Sequence, residues 1–70
     1  MPDPANISVN GQEQALLDRS LDKLLDRLQV SLRPGVAVAV NESLVPRAAW
    51  PATELQPGDR VEIVVAVQGG

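Results

Sequence analysis

The sequence of 70 residues is long enough for one small domain, and its net charge of −3 argues against a nucleic-acid partner while favouring a basic protein partner. It contains no cysteine and no histidine, which excludes disulfides, thiolate zinc sites, cysteine nucleophiles and histidine general bases. We therefore expect a protein that is not an enzyme and that binds neither a metal nor a cofactor.

The first five residues, 1–5, are predicted to form a disordered extension. They contain neither a basic region nor a long apolar run, so they do not resemble a secretory signal. No stretch of the chain approaches the roughly 20 apolar residues that a membrane span needs. We expect a cytoplasmic protein without membrane contacts, a location that the missing cysteines allow.

A β-hairpin is predicted near the N-terminus. The four residues before Asn10-Gly11 alternate between polar and apolar, and Asn-Gly is a strong hairpin-turn signal. A two-residue loop would place Gln14 opposite Ile7 and so mix polar and apolar side chains on one face. A four-residue loop beginning at Asn10 pairs Ile7 with Leu16 instead, and we predict this longer loop or a bulge.

An amphipathic helix is predicted after Ser20, a residue suited to cap the first turn. Leucines at positions i, i+3, i+4 and i+7 form its apolar face: Leu21, Leu24, Leu25 and Leu28. The helix could also begin before Ser20, because the spacing of Leu17 continues the apolar face and the sequence of residues 16–19 is repeated at 24–27. Charged residues at intervals of four, which we expect to form a solvated face, are Asp18, Asp22, Asp26 and Arg19, Lys23, Arg27.

Two strands are predicted after the helix. Residues 33–35, Arg-Pro-Gly, end the helical region, because proline disfavours a helix before it and lacks an amide donor. Five apolar residues, 36–40, predict a central strand that is buried on both faces. After a turn at Asn41-Glu42, the segment 43–46 is predicted to be an edge strand, since its proline would interrupt an interior one. Residues 47–50 are predicted to be irregular.

The last strand is predicted to begin at Arg60, after a tight turn at 56–59 that contains Pro-Gly. Alternation assigns Val61, Ile63 and Val65 to one face, and Glu62, Val64 and Ala66 to the other. These elements predict an α+β domain over residues 6–67, with one helix packed on a mixed sheet of four or five strands. Residues 68–70, Gln-Gly-Gly, are predicted to be a flexible tail.

Several segments of the chain, by their order and spacing, resemble one known family. They are Val9-Asn10-Gly11, Ser20-Leu21, Leu24-Leu25, Val38-Ala39-Val40-Asn41, Val45-Pro46-Arg47 with Trp50, Gly58-Asp59-Arg60-Val61, and Gly69-Gly70. From Ile7 to Gly70 the sequence resembles the ThiS family of sulfur carrier proteins in thiamine biosynthesis, which has the ubiquitin-like β-grasp fold. The Val-Pro-Arg-x-x-Trp segment favours this branch over the molybdopterin branch of the same fold.

The resemblance implies a role for the end of the chain. In that family an E1-like adenylyltransferase (ThiF-like) uses ATP to adenylate the terminal carboxylate, which is then converted to a thiocarboxylate with sulfur from a donor protein. A thiazole synthase (ThiG-like) receives the sulfur. Gly70 would carry this chemistry, and Gly69 with Gln68 would form a slender stalk. ATP would be used by the partner and not bound by this chain.

Docking residues are predicted close to that stalk. Val64 and Ala66 are the preferred candidates, because an exposed apolar patch on the outward face of the final strand would mark an interface. Trp50 is a further candidate, although packing in the core or at an edge is the favoured alternative. Arg47 is predicted to be a surface cation that pairs with a local carboxylate, with a partner contact as the lesser alternative.

Other functions stay open on the sequence alone. The chain could carry sulfur for another pathway, of the molybdopterin type, or it could modify proteins as ubiquitin does. Lys23 is the only lysine, which makes self-chaining improbable. A noncatalytic interaction domain with an incidental Gly-Gly end is a third class. We expect the free protein to be a monomer.

Overall fold

Five strands in one mixed sheet and a short α-helix form the part of the chain that the computed structural model describes, residues 5–66. The elements are β1 (Asn6–Val9), β2 (Gln12–Ala15), α1 (Leu21–Arg27), β3 (Val36–Val40), β4 (Ser43–Val45), a 3₁₀ helix (Arg47–Ala52) and β5 (Arg60–Val65). The strand order is β2-β1-β5-β3-β4, in which β1 and β5 are parallel and the other neighbours antiparallel. The predicted α+β arrangement is confirmed.

The apolar core joins the leucines of α1 to one face of the sheet. Its nine buried residues are Ile7, Val9, Leu21, Leu24, Leu25, Val38, Trp50, Leu55 and Val61. The indole Nε1 of Trp50 donates a hydrogen bond to the carbonyl of Val45 at 3.0 Å, so the ring is buried with its polar atom paired. No polar or charged side chain is buried anywhere in residues 5–66.

The register predicted for the first hairpin is wrong. A two-residue loop at Asn10-Gly11 places Ile7 opposite Gln14, and both loop residues have positive φ, 52° and 84°. Such a turn matches the twist of the strands. The polar partners are tolerated because β2 is an edge strand, where Gln14 is only half-buried. Leu16 lies beyond β2.

The hairpin also includes one residue of the predicted N-terminal extension. Ala5 accepts a hydrogen bond at its carbonyl from the backbone N–H of Leu16, at 2.8 Å. The rest of that predicted extension, residues 1–4, lies outside the described residues, as do residues 67–70.

The side chain of Asn10 extends the pairing of β5 beyond the end of β1. Its Oδ1 accepts a hydrogen bond from the N–H of Ile63 at 2.7 Å, and its Nδ2 donates to the carbonyl of Ile63 at 3.2 Å. These two bonds imitate the backbone pairing that β1 would make if it continued past Val9. Asn10 therefore combines a turn conformation with a strand-like contact.

The later of the two predicted helix starts is confirmed, since α1 begins at Leu21 after Ser20 in extended conformation. The cap prediction is wrong, because the Ser20 side chain makes no capping hydrogen bond. The chain around Ser20 is instead paired with the segment 53–55: the N–H of Leu21 donates to the carbonyl of Thr53 at 2.9 Å, and Ser20 forms a bridge with Glu54. This pairing prevents an earlier helix start. No helix within residues 5–66 is long and apolar enough to cross a membrane.

Two predictions in the second half of the chain need correction. In β3 only Val38 is fully buried and Ala37 is exposed, so this strand is not buried on both faces. Among residues 5–66, no helix lies over its second face. The segment predicted to be irregular belongs to the 3₁₀ helix, which ends in Pro-Ala. The turns at 41–42 and 57–58, the edge position of β4 and the inward side chains of β5 are confirmed.

We expect Asn10→Gly to lower the free energy of unfolding by about 1–2 kcal/mol, because glycine keeps the positive φ but removes both bonds to Ile63. Urea unfolding measures this loss. Glu42→Gly is the matched control, since Glu42 has a φ of 71° in the turn between β3 and β4, and within residues 5–66 its side chain makes only an exposed ion pair with Arg60. That control should be neutral or stabilising. Equal effects of the two substitutions would show that the Asn10 bridge contributes nothing.

Candidate functional site

The strand that leads toward the end of the chain defines the candidate site. Of the predicted site residues, Gln68, Gly69 and Gly70 lie outside the described residues. Val64 and Ala66 are described and both are exposed, Val64 on the outward side of β5 and Ala66 directly after the end of this strand. The site is therefore built from β5 and from the elements that surround its last residues.

The face of the sheet opposite α1 is open, and its side chains form a shallow depression of about 270 Å³. The residues that line this open face are Asn10, Ala37, Ala39, Leu44, Glu62 and Val64. Ala37 lies opposite Val64, and Ala39 lies between Glu62 and Leu44 in the register of the three strands. The alanines form a low floor, because their side chains are short.

Two large aliphatic side chains border this floor. Leu44 is 78% exposed and Val64 is 63% exposed. Exposed apolar side chains grouped around a depression are typical of an interaction surface, and Glu62 adds one negative charge to it. The open face thus offers an apolar contact with one acidic group, directly beside the residues that precede the predicted tail.

The last described residue, Ala66, is held by the loop between α1 and β3. Its N–H donates to the carbonyl of Gly35 at 2.9 Å, one step beyond the ladder that pairs Val65 with Val36. Gly35 has a φ of 74°, and a Cβ there would lie 3.0 Å from the Cβ of Ala66. A side chain at this position would be strained by the positive φ, and its Cβ would require Ala66 to move by a few tenths of an ångström. From the sequence, Gly35 was assigned only to the end of the helical region, and its contact with Ala66 was missed.

The predicted carboxylate partner of Arg47 is wrong. Its guanidinium donates hydrogen bonds to two backbone carbonyls of the loop, those of Ser31 and Arg33, the latter at 2.8 Å. The same group stacks over Trp50, with Cζ 4.5 Å from the ring centre. Trp50 is only 2% exposed, which favours the core alternative for this residue. Whether Arg47 or Trp50 contacts a partner is untested and stays a prediction.

The structure separates the predicted docking residues into two regions. Val64 lies on the open face, with Ala66 farther along the same strand direction. Arg47 and Trp50 border a different groove of about 790 Å³ between α1 and the 3₁₀ helix, which contains acidic and basic side chains of α1. Asp18 and Arg27 form an ion pair there, with Nε and Oδ2 2.7 Å apart. Within residues 5–66, no three His, Cys, Asp or Glu side chains are grouped to hold a metal ion.

Comparisons with known proteins identify similar sequences and structures. Residues 7–70 match the model of a family described as the ThiS family. A sulfur carrier protein ThiS from Thermus thermophilus is 37% identical over 62 residues, which are 89% of this chain and 95% of the relative.

Two solved structures of a thiamine biosynthesis protein from Geobacter metallireducens are similar to this fold, each at 31% sequence identity. The crystal structure, named ThiS, gives a TM-score of 0.76 and the match covers 93% of this chain and 99% of that one. The solution structure gives a TM-score of 0.74, with 93% of this chain and 87% of that one covered. These similarities confirm the predicted β-grasp fold.

We expect Gly35→Ala to displace Ala66, because the new Cβ would meet that residue at the close distance given above. The amide of Ala66 should then exchange its hydrogen faster than in the unaltered protein. Gly58→Ala is the matched control: Gly58 has a φ of 88°, but a Cβ there meets nothing within 4 Å. Both substitutions should cost about 1–3 kcal/mol for the positive φ. Hydrogen exchange followed by NMR should show the faster Ala66 amide in Gly35→Ala alone, and the same acceleration in both variants would contradict the prediction.

Proposed function

Because the chain belongs to the ThiS family, we propose that it is a sulfur carrier of thiamine biosynthesis whose terminal carboxylate, on Gly70, is converted to a thiocarboxylate. The match of residues 7–70 to the family model is the observation that supports this most directly, since it includes Gly69 and Gly70. The open face, which includes Glu62 and Val64 of β5, gives a partner enzyme a surface to bind while it acts on the terminal carboxylate.

The chemistry begins with activation of an unreactive group. A carboxylate is a poor electrophile, so an E1-like adenylyltransferase joins it to the AMP portion of ATP and releases pyrophosphate. The outer sulfur of a persulfide on a donor protein then attacks the acyl carbon and displaces AMP, which is nucleophilic acyl substitution. A thiol next cleaves the S–S bond of the resulting acyl disulfide, which releases the thiocarboxylate and leaves a disulfide on the thiol's side. The thiocarboxylate finally gives its sulfur to a thiazole synthase.

The chain acts in these steps as a co-substrate. It contains no histidine or cysteine that could serve as base or nucleophile. The cationic groups and hydrogen-bond donors that stabilise the charged transition states therefore come from the partner, which also binds ATP. What this chain contributes is a docking surface and an end that reaches the partner's active site.

The open face is the proposed docking surface for the adenylyltransferase. Leu44 and Val64 supply the apolar contact, and the alanine floor between β4 and β5 admits side chains from the partner. A matching partner surface would be apolar with a cation placed opposite Glu62, in agreement with the net charge of −3 on this chain.

Incubation of the full chain with an E1-like adenylyltransferase, ATP and a sulfur donor should replace one oxygen of the terminal carboxylate by sulfur, which intact-protein mass spectrometry detects. Deletion of Gly70 should abolish the conversion, because the glycine that presents the acyl carbon is removed. Conversion that survives this deletion would refute the assignment. Covalent adducts with other proteins would instead indicate a modifier, and transfer of the sulfur to a partner other than thiazole synthase would indicate another pathway.

We expect Leu44→Glu to raise the KM for the adenylyltransferase by about tenfold, because a charge replaces one of the two large apolar contacts of the proposed interface. Leu17→Glu is the matched control, since Leu17 is also a largely exposed leucine, at 70%, but lies between β2 and α1 and does not line the open face. The control should leave KM within about twofold of the original value, as expected for a surface site outside an interface. The rate of pyrophosphate release gives the KM of both variants. Equal changes in KM for Leu44→Glu and Leu17→Glu would exclude the open face as the docking surface.

A further inference from the structure

We infer that Arg47 is a positioning residue that directs the end of the chain, by holding the loop whose Gly35 contacts Ala66. The functional part of this inference rests on the proposed adenylation of Gly70. Arg47 lies outside the open face, so this role differs from docking. Arg47 acts through the α1–β3 loop, residues 28–35, and does not touch the reacting carboxylate.

Arg47 holds the middle of the α1–β3 loop through two separate backbone groups. Its two terminal nitrogens each donate a hydrogen bond, one to the carbonyl of Ser31 and the other to that of Arg33. Burial does not secure this part of the loop, because Leu32 between these residues is 93% exposed. Hydrogen bonds within the segment, from the N–H of Arg33 to the carbonyl of Val30 and from Ser31 Oγ to Asp26, shape the turn locally. The bidentate contact of Arg47 joins this turn to the 3₁₀ helix.

The platform beneath Arg47 is rigid. Trp50 is buried and its indole is held by the hydrogen bond to Val45, so the ring under the guanidinium has a fixed position. The planar guanidinium can stack on the ring and donate two parallel hydrogen bonds at once. Lysine has a compact ammonium group and cannot reproduce this geometry. The shape of the arginine side chain matters here as much as its charge.

The end of β5 depends on the α1–β3 loop, because the last residues of β5 are paired with β3 on one side and no longer with β1 on the other. On the β1 side, the contacts of β5 reach Ile63 through the Asn10 side chain. On the β3 side they continue through Val65 to Ala66, whose amide is bound by Gly35. Gly35 is two residues from Arg33, so a displacement of the loop reaches Ala66 directly. The contact of Arg47 thus controls the last described point of the strand.

The direction of the strand at this point matters for the proposed reaction. Four residues separate Ala66 from the carboxylate of Gly70. A small error in position at a reacting group can lower a rate by up to about 100-fold. Docking by the open face does not involve Arg47, so a displaced Ala66 should lower the rate of the bound complex and leave its formation unchanged.

The test compares Arg47→Met, Arg47→Lys and the control Arg60→Met in the full chain. Methionine keeps an apolar stem over Trp50 but has no donors, and lysine keeps the charge without the planar fork. Arg60 is a matched control because it is an exposed arginine at the opposite end of β5, paired only with exposed Glu42 through its side chain. Two readouts are needed: hydrogen exchange of individual amides, and the kcat and KM of adenylation measured by pyrophosphate release.

Both Arg47 variants should speed exchange of the Ala66 amide about tenfold relative to the Asn41 amide, which is bound to Arg60 at the far end of the sheet. They should lower kcat by about fivefold to tenfold and leave KM within about twofold. Arg60→Met should change neither readout. The failure of lysine to restore the original values would show that the geometry of arginine, and not its charge, is required.

Three results would overturn the inference. An equal acceleration of the Ala66 and Asn41 amides would mean that Arg47 only stabilises the whole fold. An unchanged Ala66 amide would show that the loop does not transmit the contact. A rise in KM with unchanged kcat would place Arg47 in docking. If the unaltered chain is not adenylated at all, the proposed function fails, and the exchange measurement alone still decides whether Arg47 positions Ala66.

Discussion

The parallel pairing of β1 with β5 is the interaction on which the rest of the structure depends. Ser8 lies beside Arg60 and Val9 beside Val61, so the first and last strands of the fold meet at the centre of the sheet. Such a pairing closes a loop of some fifty residues, and closing this loop has an entropic cost. That cost is offset only when the intervening helix and strands pack against the paired strands. The strand that leads to the end of the chain is thus the central strand of the five.

A single seven-residue helix covers only one face of this sheet. Alternation along β5 directs Val61 into the core and Val64 to solvent, and a shift of one residue would exchange these sets. The buried face thereby fixes which side chains the open face displays. An apolar patch on such a small domain is a hazard for aggregation, and the net negative charge opposes self-association.

Local patterns were sufficient to predict the α-helix and the strands, but not the 3₁₀ helix or the contacts between residues distant in sequence. Three predictions depended only on residues close together in the sequence, and all three were correct. They were the leucine spacing of α1, the turn at Asn41-Glu42 and the alternation of β5. The apolar run of β3 was misleading, because alanines on an open face look the same in sequence as alanines in a core. The hairpin register failed for a related reason: an edge strand imposes little penalty on polar residues.

The candidate site shows the same division. Val64 could be found from alternation, and the family resemblance indicated Gly70, whereas the partners of Arg47 could not be found. Its acceptors are backbone carbonyls of a loop, which any residue type supplies, so no sequence pattern marks them. The bonds of Asn10 to Ile63, fifty-three positions away, are hidden in the same way.

Under the proposed function, recognition and delivery depend on different contacts of this fold, although both involve β5. The open face is set by the alternation of the strand and by the short side chains of β3. The direction of the strand beyond Val65 is set by Gly35, through a hydrogen bond to the backbone of Ala66. A contact to the backbone constrains the path of the chain without using any side chain of the open face. We therefore expect substitutions in the α1–β3 loop to change the position of Ala66 while the side chains of the open face stay where they are.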